Sequence, residues 1–242
     1  MPSPSTFQPA LHAEWIKIRT LRSLLGSLGA VLLATVALGA LTSADGDDTD
    51  PLFAMFFGVS FGQIAAIAFG ATAVSSEFQG GALRLTLAAV PDRRRWCAAK
   101  ATAIAVPVLA VGLVTGAATL LVGRAALGAG ADRPTSAEGL RAAVGCGLYL
   151  TLMALFAAGL AAVLRSGAAT LGLLIPLLLI VSFVVGDLSG NAADYLPDRA
   201  GQVVLHSDSG GGLGPWTGLA VTALWTAGAL LAGAWCVHRR DA

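Results

Sequence analysis

Side chains capable of metal, redox or catalytic chemistry are few and scattered in this sequence. The histidines and cysteines are His12, His206, His238, Cys97, Cys146 and Cys236. An odd number of widely spaced cysteines is typical of neither a disulfide framework nor a zinc site. Cys146 lies in an apolar run, where a small hydrophobic role is expected. The pattern predicts no metal site, no cofactor and no catalytic residue.

Motifs for nucleotide or hydrolytic chemistry are also missing from the sequence. It contains no H-E-x-x-H, and no serine sits in a G-x-S-x-G nucleophile elbow, because that spacing occurs at residues 58–62, inside an apolar run and not at a strand-to-helix turn. Its only lysines are Lys17 and Lys100, and neither follows a glycine, so no P-loop exists here. We therefore predict that the chain is not an enzyme and that any ATP hydrolysis it depends on occurs in a separate chain.

One polar stretch, SSEFQGGALRLTLAAVPDRRRWCAAK at residues 75–100, separates two long apolar runs. Leu83, Leu87 and Val90 recur at i, i+4 and i+7, which predicts a short helix with an apolar ridge. Pro91 should end this helix, and the basic residues after it are typical of a positive-inside anchor. Because so short a helix is marginal in water, it needs the membrane surface or a partner protein.

Composition explains why a polar stretch stands out. Hydrophobic residues make up 56% of the sequence, charged residues 12%, and the mean hydropathy is +0.76. A soluble chain averages about 25% charged residues, so this composition predicts an integral membrane protein. The net charge of +1 gives no sign of a nucleic-acid partner.

The fold class predicted from the apolar runs is an all-α polytopic membrane protein with six transmembrane helices. A bilayer core needs about 20 helical residues, and the runs show no period-2 alternation typical of a barrel. The predicted spans are residues 23–42, 52–75, 101–123, 142–164, 168–186 and 216–237, in one domain covering 1–242. The segment 76–100 is a predicted cytoplasmic loop, and the predicted outer loops are 43–51, 124–141 and 187–215.

Charge in the loops predicts the orientation. The N-terminal segment, the loop 76–100, the turn at Arg165 and the C-terminal residues carry 11 of the 15 basic residues but only four of the 14 acids. The positive-inside rule therefore places both termini and the loop 76–100 in the cytoplasm.

The segment before the first span predicts an amphipathic helix at residues 7–22, lying in the membrane interface. Its apolar face consists of Phe7, Leu11, Trp15, Ile18, Leu21 and Leu25. Trp15 suits the headgroup level, and Lys17, Arg19 and Arg22 favour anionic lipid, so these four residues are the predicted interfacial anchor.

The centres of the predicted spans contain no Asp, Glu, Lys or Arg. Ion-coupled carriers usually place such groups there, so a carrier of that kind is disfavoured. Polar span residues such as Gln63, Thr115 and Thr151 are expected to bond across helices or to backbone carbonyls. Small-residue pairs such as Gly112 and Gly116 predict close helix packing within the chain. Pro107 and Pro176 should bend their helices, for gating or for shape.

Three pieces of the sequence resemble the membrane subunits of type-2 ABC transporters, especially the small six-span permeases of high-GC bacteria. HAEWIKIRTLRS, residues 12–23, is similar to their amphipathic entry helix. The stretch 75–100 resembles their first cytoplasmic loop, with S-S-E-F, a short helix, a proline and a basic return. YLPDRAGQ, residues 195–202, resembles the outer loop before the last span. Gly80 and Gly81 stand where that family has stronger helix formers, which predicts a shorter coupling helix.

The resemblance implies a permease subunit of an ATP-driven export system in the cell membrane. It implies that the loop 76–90 docks onto a separately encoded ATPase, with two permeases, identical or related, and two ATPases in the assembly. The implied contact residues are Glu77, Phe78, Leu83, Arg84 and Leu87. Two alternatives from other classes are a non-transporting membrane anchor or assembly protein and, less favoured, an ion-coupled carrier.

Overall fold

The computed structural model describes residues 7–45, 50–79, 92–127, 134–178, 190–207 and 212–240. Within these ranges the chain is helical and forms no strand. The α-helices are α1 (Phe7–Thr20), α2 (Arg22–Asp45), α3 (Pro51–Phe56), α4 (Val59–Ser75), α5 (Arg93–Ala126), α6 (Ser136–Leu164), α7 (Gly167–Pro176), α8 (Pro197–Gln202) and α9 (Pro215–Arg240). Short 3₁₀ turns occupy Ser76–Phe78, Gly190–Tyr195 and Val203–Leu205.

Five helical segments of the described chain are long and apolar enough to cross a membrane. They are Arg22–Ala44, Pro51–Phe78, Arg93–Ala126, Ser136–Leu164 and Pro215–Arg239, and a shorter apolar helix runs from Gly167 to Pro176. The all-α, polytopic membrane fold class is thereby confirmed. Of the predicted span 168–186, residues 179–186 lie outside the described residues, as does the predicted coupling helix.

Helix starts are set by side chains that accept hydrogen bonds from the first free backbone N–H groups. Asp92 accepts from the amides of Arg94 and Arg95 and begins α5. Thr135 and Glu138 form a reciprocal capping box at the start of α6. These caps fix where the two longest helices begin.

The central helix is α6, which packs against α4, α5, α7 and α9. Its side chains Cys146, Tyr149 and Met153 are fully buried. Glycine allows the close approach that the sequence predicted: a methyl group at Gly112 would lie 2.9 Å from Gly147 of α6, and one at Gly116 would overlap the carbonyl of Ala143. The interior is thus a close-packed helix bundle.

Residues 190–207, within the segment predicted as a loop before the last span, fold into α8 and two 3₁₀ turns packed between α6 and α9. Ala200, Val204 and Leu205 are fully buried there. The Thr222 hydroxyl of α9 donates to the Pro197 carbonyl at 2.8 Å. The segment that resembled an outer loop is therefore part of the bundle.

Contacts between loops divide the bundle into two ends. At the α1 end, α1, the turn Ser76–Phe78, the start of α5, the α6–α7 turn and the end of α9 lie together. At the opposite end, Asp50 accepts hydrogen bonds from the hydroxyl of Ser207 at 2.7 Å and lies 3.1 Å from His206 Nδ1. Phe53 stacks on the His206 ring, with the ring centroids 4.1 Å apart.

Candidate functional site

Four charged side chains from three segments meet at the α1 end. Glu14 and Lys17 are three residues apart on α1 and so share one helix face. Glu77 comes from the 3₁₀ turn that follows α4, and Lys100 comes from the second turn of α5. We call Glu14, Lys17, Glu77 and Lys100 the four-charge cluster.

Each ammonium of the four-charge cluster contacts both carboxylates. Lys100 Nζ donates to Glu14 Oε2 at 2.6 Å and to Glu77 Oε1 at 2.7 Å. Lys17 Nζ donates to Glu77 Oε1 at 2.7 Å and to Glu14 Oε1 at 3.2 Å. The four residues therefore form a closed ring of alternating charge.

Most of the four-charge cluster is out of contact with water. The side chains of Glu77, Glu14 and Lys100 are 2%, 6% and 6% exposed, whereas that of Lys17 is 40% exposed. Two carboxylates and two ammoniums sum to zero charge, which makes burial tolerable because each ion keeps an opposite partner. Removing one member would leave buried charge without its full set of partners.

The protonation of Lys17 is secured by its neighbours. Partial burial by itself would lower the pKa of this amine. The hydrogen bond to Glu77 and the charges of Glu14 and Glu77 outweigh that effect, so the pKa of Lys17 is raised above its ordinary value. The pairing of α1 with the turn after α4 therefore persists throughout the neutral pH range.

The four-charge cluster closes the base of the loop 76–100. Glu77 stands just before the loop residues 80–91, which lie outside the described residues, and Lys100 stands just after them. Leu83, Arg84 and Leu87 fall in that undescribed part. The contact between Glu77 and Lys100 thus joins the two ends from which the loop emerges.

Beyond the loop the chain enters a long helix. Helix α5 has 34 residues, which at about 1.5 Å each span about 51 Å. A bilayer core is about 30 Å thick, so α5 is longer than the core requires. Its first two turns, residues 93–100, carry the basic residues and Lys100.

Arg93 connects this start of α5 to the last helix. Its Nη1 donates to the carbonyls of Val237 and His238 at 2.8 and 2.9 Å. A cation at a helix C-terminus satisfies free carbonyls and complements the helix dipole. From the sequence, the basic stretch after Pro91 is predicted to act as an anchor only. In the structure two of its residues, Arg93 and Lys100, also bind specific partners within the protein.

Phe78, a predicted contact residue, lies against the α6–α7 turn. The Arg165 guanidinium carbon is 5.5 Å from the centre of the Phe78 ring, a cation–π arrangement. Arg165 ends α6 with a left-handed φ of 55°. A methyl group on Gly167 in the same turn would lie 2.6 Å from Ser75 Oγ. The base of the loop thus packs against the α6–α7 turn.

The predicted interfacial residues divide between two environments. Trp15, Arg19 and Arg22 are exposed, as an anchor to lipid requires, whereas Lys17 also joins the four-charge cluster. The continuous apolar face predicted as far as Leu25 is wrong, because α1 ends at Thr20 and α2 starts at Arg22.

Sequence reasoning missed the pairing of Glu14 and Lys100. Two signals for it were present. Lys17 and Lys100 are the only lysines of the chain. Glu14 and Glu77 are two of only four acids in the segments where the positive-inside rule favours bases.

A second, uncharged polar group lies within the bundle. The Tyr149 hydroxyl donates to Gln63 Oε1, and Gln202 Nε2 donates to the Tyr149 hydroxyl at 3.2 Å. Gln63 therefore bonds across helices, and Thr151 bonds back to the Gly147 carbonyl, as predicted. The same prediction is wrong for Thr115, whose buried hydroxyl has no hydrogen-bond partner among the residues that the structure describes. Within the described residues no group of three His, Cys, Asp or Glu side chains could hold a metal ion. This second group serves packing between α4, α6 and α8.

The sequence model of the ABC-2 family of transporter proteins matches residues 17–242. The chain belongs to the ABC-2 transporter family. It is a membrane permease component of a transporter and is not itself catalytic. No curated protein matches the chain. The family match covers α2 to α9 and three members of the four-charge cluster, Lys17, Glu77 and Lys100.

Proposed function

We propose that this chain forms half of the translocation pathway of an ABC exporter in a bacterial cell membrane. A separately encoded ABC ATPase drives it through the loop 76–90. Members of the family generally work with an ATPase partner, which supports this proposal. The observation that carries it is the closed base of the loop, where Glu77 and Lys100 lie 2.7 Å apart. Because both ends of the loop are fixed to the bundle, a displacement that a partner protein imposes on the loop is passed to the helices.

We propose that the five residues assigned from the sequence divide into three that touch the ATPase and two, Glu77 and Phe78, that hold the base of the loop. Leu83 and Leu87 supply the apolar ridge, and Arg84 supplies a polar contact. Glu77 is buried in the four-charge cluster, so its part is to hold the loop in place. Phe78 packs partly against the core and limits how far the loop base moves.

The proposed membrane assembly holds two permease copies, identical or related, and two ATPase subunits. Trp15, Arg19 and Arg22 keep α1 at the cytoplasmic surface of the bilayer, where exposed arginines meet anionic headgroups. Native mass spectrometry of the complex purified with its co-expressed ABC ATPase measures the stoichiometry. A complex with one permease copy contradicts the proposed dimer.

Co-purification tests the docking loop. The double variant Leu83→Asp, Leu87→Asp places two charges on the ridge and should lose the co-expressed ATPase in mild detergent. At 100° per residue, Leu85 and Ala88 fall on the other side of this helix. The matched control Leu85→Asp, Ala88→Asp should retain the ATPase. Retention by the ridge variant overturns the docking assignment.

A further inference from the structure

We propose that the four-charge cluster is a transmission element that makes α1, the base of the loop and α5 move as one body. The inference rests on the proposed function, because an ATPase must first displace the loop. Within it, Glu14, Lys17, Glu77 and Lys100 are positioning residues that pass on the displacement, and they contact no transported molecule.

The connectivity of the ring supports this role. Moving the turn Ser76–Phe78 alone breaks the contacts of Glu77 with Lys17 and Lys100. Moving α5 alone breaks the contacts of Lys100 with Glu77 and Glu14. Moving α1 alone breaks the Lys17–Glu77 and Lys100–Glu14 contacts. Each of the three segments thus makes two ion pairs, one with each of the other two segments.

Burial makes separate movement unfavourable. An exposed ion pair can open, since water solvates both ions and the pair contributes little. Glu77, Glu14 and Lys100 are almost fully shielded, so opening the ring leaves charges in a poorly solvated site. Displacement of all three segments together keeps every pair intact and is the favoured movement.

Lysine suits this junction better than arginine. The ammonium of Lys100 directs its donors to carboxylates on two different segments, as the distances of 2.6 and 2.7 Å show. The planar guanidinium of arginine is arranged to bind one carboxylate with two parallel bonds. The single Nζ atom of Lys100 therefore joins α5 to α1 and to the turn after α4.

Arg93 adds α9 to the group of segments that moves together. Its hydrogen bonds to the carbonyls of Val237 and His238 tie the start of α5 to the last turn of α9. A displacement of the loop is thereby passed to α1, α5 and α9. The α6–α7 turn meets the loop base through the Phe78 ring and is a suitable reference point outside the body.

A distance measurement between α1 and that turn tests the proposal. Spin labels go on His12→Cys, which is exposed on α1, and Leu164→Cys, which is exposed at the end of α6. The background lacks Cys97, Cys146 and Cys236, and labelled copies are diluted with unlabelled ones. The protein is reconstituted with a co-expressed ABC ATPase partner, and the distance is measured without nucleotide and with ATP and vanadate.

The decisive variant is the neutral pair Glu77→Gln, Lys100→Met, which leaves Glu14 and Lys17 paired within α1. The matched control is Asp92→Asn, Arg95→Gln, which neutralises an exposed ion pair of 3.0 Å at the same end of α5. Asparagine also keeps the helix cap. Wild type and the control should show the same nucleotide-dependent change in distance, and the neutral pair should lose it while still binding the ATPase.

Two results overturn the transmission role. One is an unchanged nucleotide response in the neutral pair, and the other is no response in wild type although the ATPase is bound. Failure of the wild-type protein to retain any ATPase is a different result, which overturns the proposed function itself. Retained ATPase binding by the neutral pair also shows that the variant is folded.

Discussion

Glu77 and Lys100 are 23 residues apart in the sequence, and their charged atoms lie 2.7 Å apart in the fold. The contact turns the stretch between them into a closed loop whose two ends share one buried site. Glu14 of the entry helix binds the same lysine, so the loop base and α1 are joined through one ammonium group. The polar stretch between two apolar runs is thereby connected to the bundle and to α1.

Removing one member of the four-charge cluster should destabilise the protein more than removing a matched pair. Lys100→Met leaves Glu14 and Glu77 to share Lys17, and breaking a buried pair costs about 3–5 kcal/mol. The neutral pair Glu77→Gln, Lys100→Met should recover part of this loss. Thermal unfolding of the single variants and the pair in detergent measures the coupling. Additive losses contradict the proposed interaction.

Gly116→Ala should destabilise the packing of α5 against α6. The added methyl group overlaps the Ala143 carbonyl, and overpacking of this kind costs about 1–3 kcal/mol. Gly29→Ala is the matched control, because nothing lies within 4 Å of its new methyl group. Thermal unfolding should show a lower midpoint for the first variant and an unchanged or higher one for the second. Equal midpoints contradict the close helix contact.

Asp50→Asn should lower stability at neutral pH and have less effect in acid. Burial alone would raise the pKa of Asp50, but hydrogen bonds from Ser207 and the Phe53 amide and the nearby His206 lower it overall. A depressed carboxyl pKa contributes stability above the unfolded value of about 3.9 and loses it as pH falls through the folded value. Unfolding midpoints of wild type and variant should converge in that acid range. A constant difference contradicts the role of the charge.

Labelling from outside intact cells should distinguish the two ends. In a cysteine-free background, Ala137→Cys lies in the first turn of α6, at the end opposite α1, and is exposed, whereas His12→Cys lies on α1. A membrane-impermeant maleimide should label Ala137→Cys in intact cells and label His12→Cys only after the cells are opened. The reverse pattern contradicts the predicted cytoplasmic termini.

The membrane fold could be predicted because it depends on local composition. A run of about 20 apolar residues decides a span irrespective of distant residues. Close packing at Gly112 and Gly116 and the cross-helix role of Gln63 also follow from residue type, since glycine permits contact and a buried amide needs a partner.

The four-charge cluster could not be predicted in the same way. Lys100 and Glu14 are 86 residues apart, and their contact depends on the angle between α1 and α2, which are separated by a break in the helix at Leu21. The pattern of apolar residues with 3.6 residues per turn continues through Leu21, so the sequence does not reveal the break. The packing of α8 between two helices escaped for a related reason: a polar, proline-containing segment resembles a solvated loop until its neighbours are known.

The scarcity of lysine gives the four-charge cluster a chemical signature. Lys17 and Lys100 carry the only side-chain primary amines of the sequence, and both bind carboxylates. An acylating reagent must reach the amine nitrogen, and the Lys100 side chain is only 6% exposed, so Lys100 should react slowly while the ring is closed. Mass-spectrometric acylation rates at Lys17 and Lys100 during turnover therefore report the opening of one defined junction, without background from any other lysine.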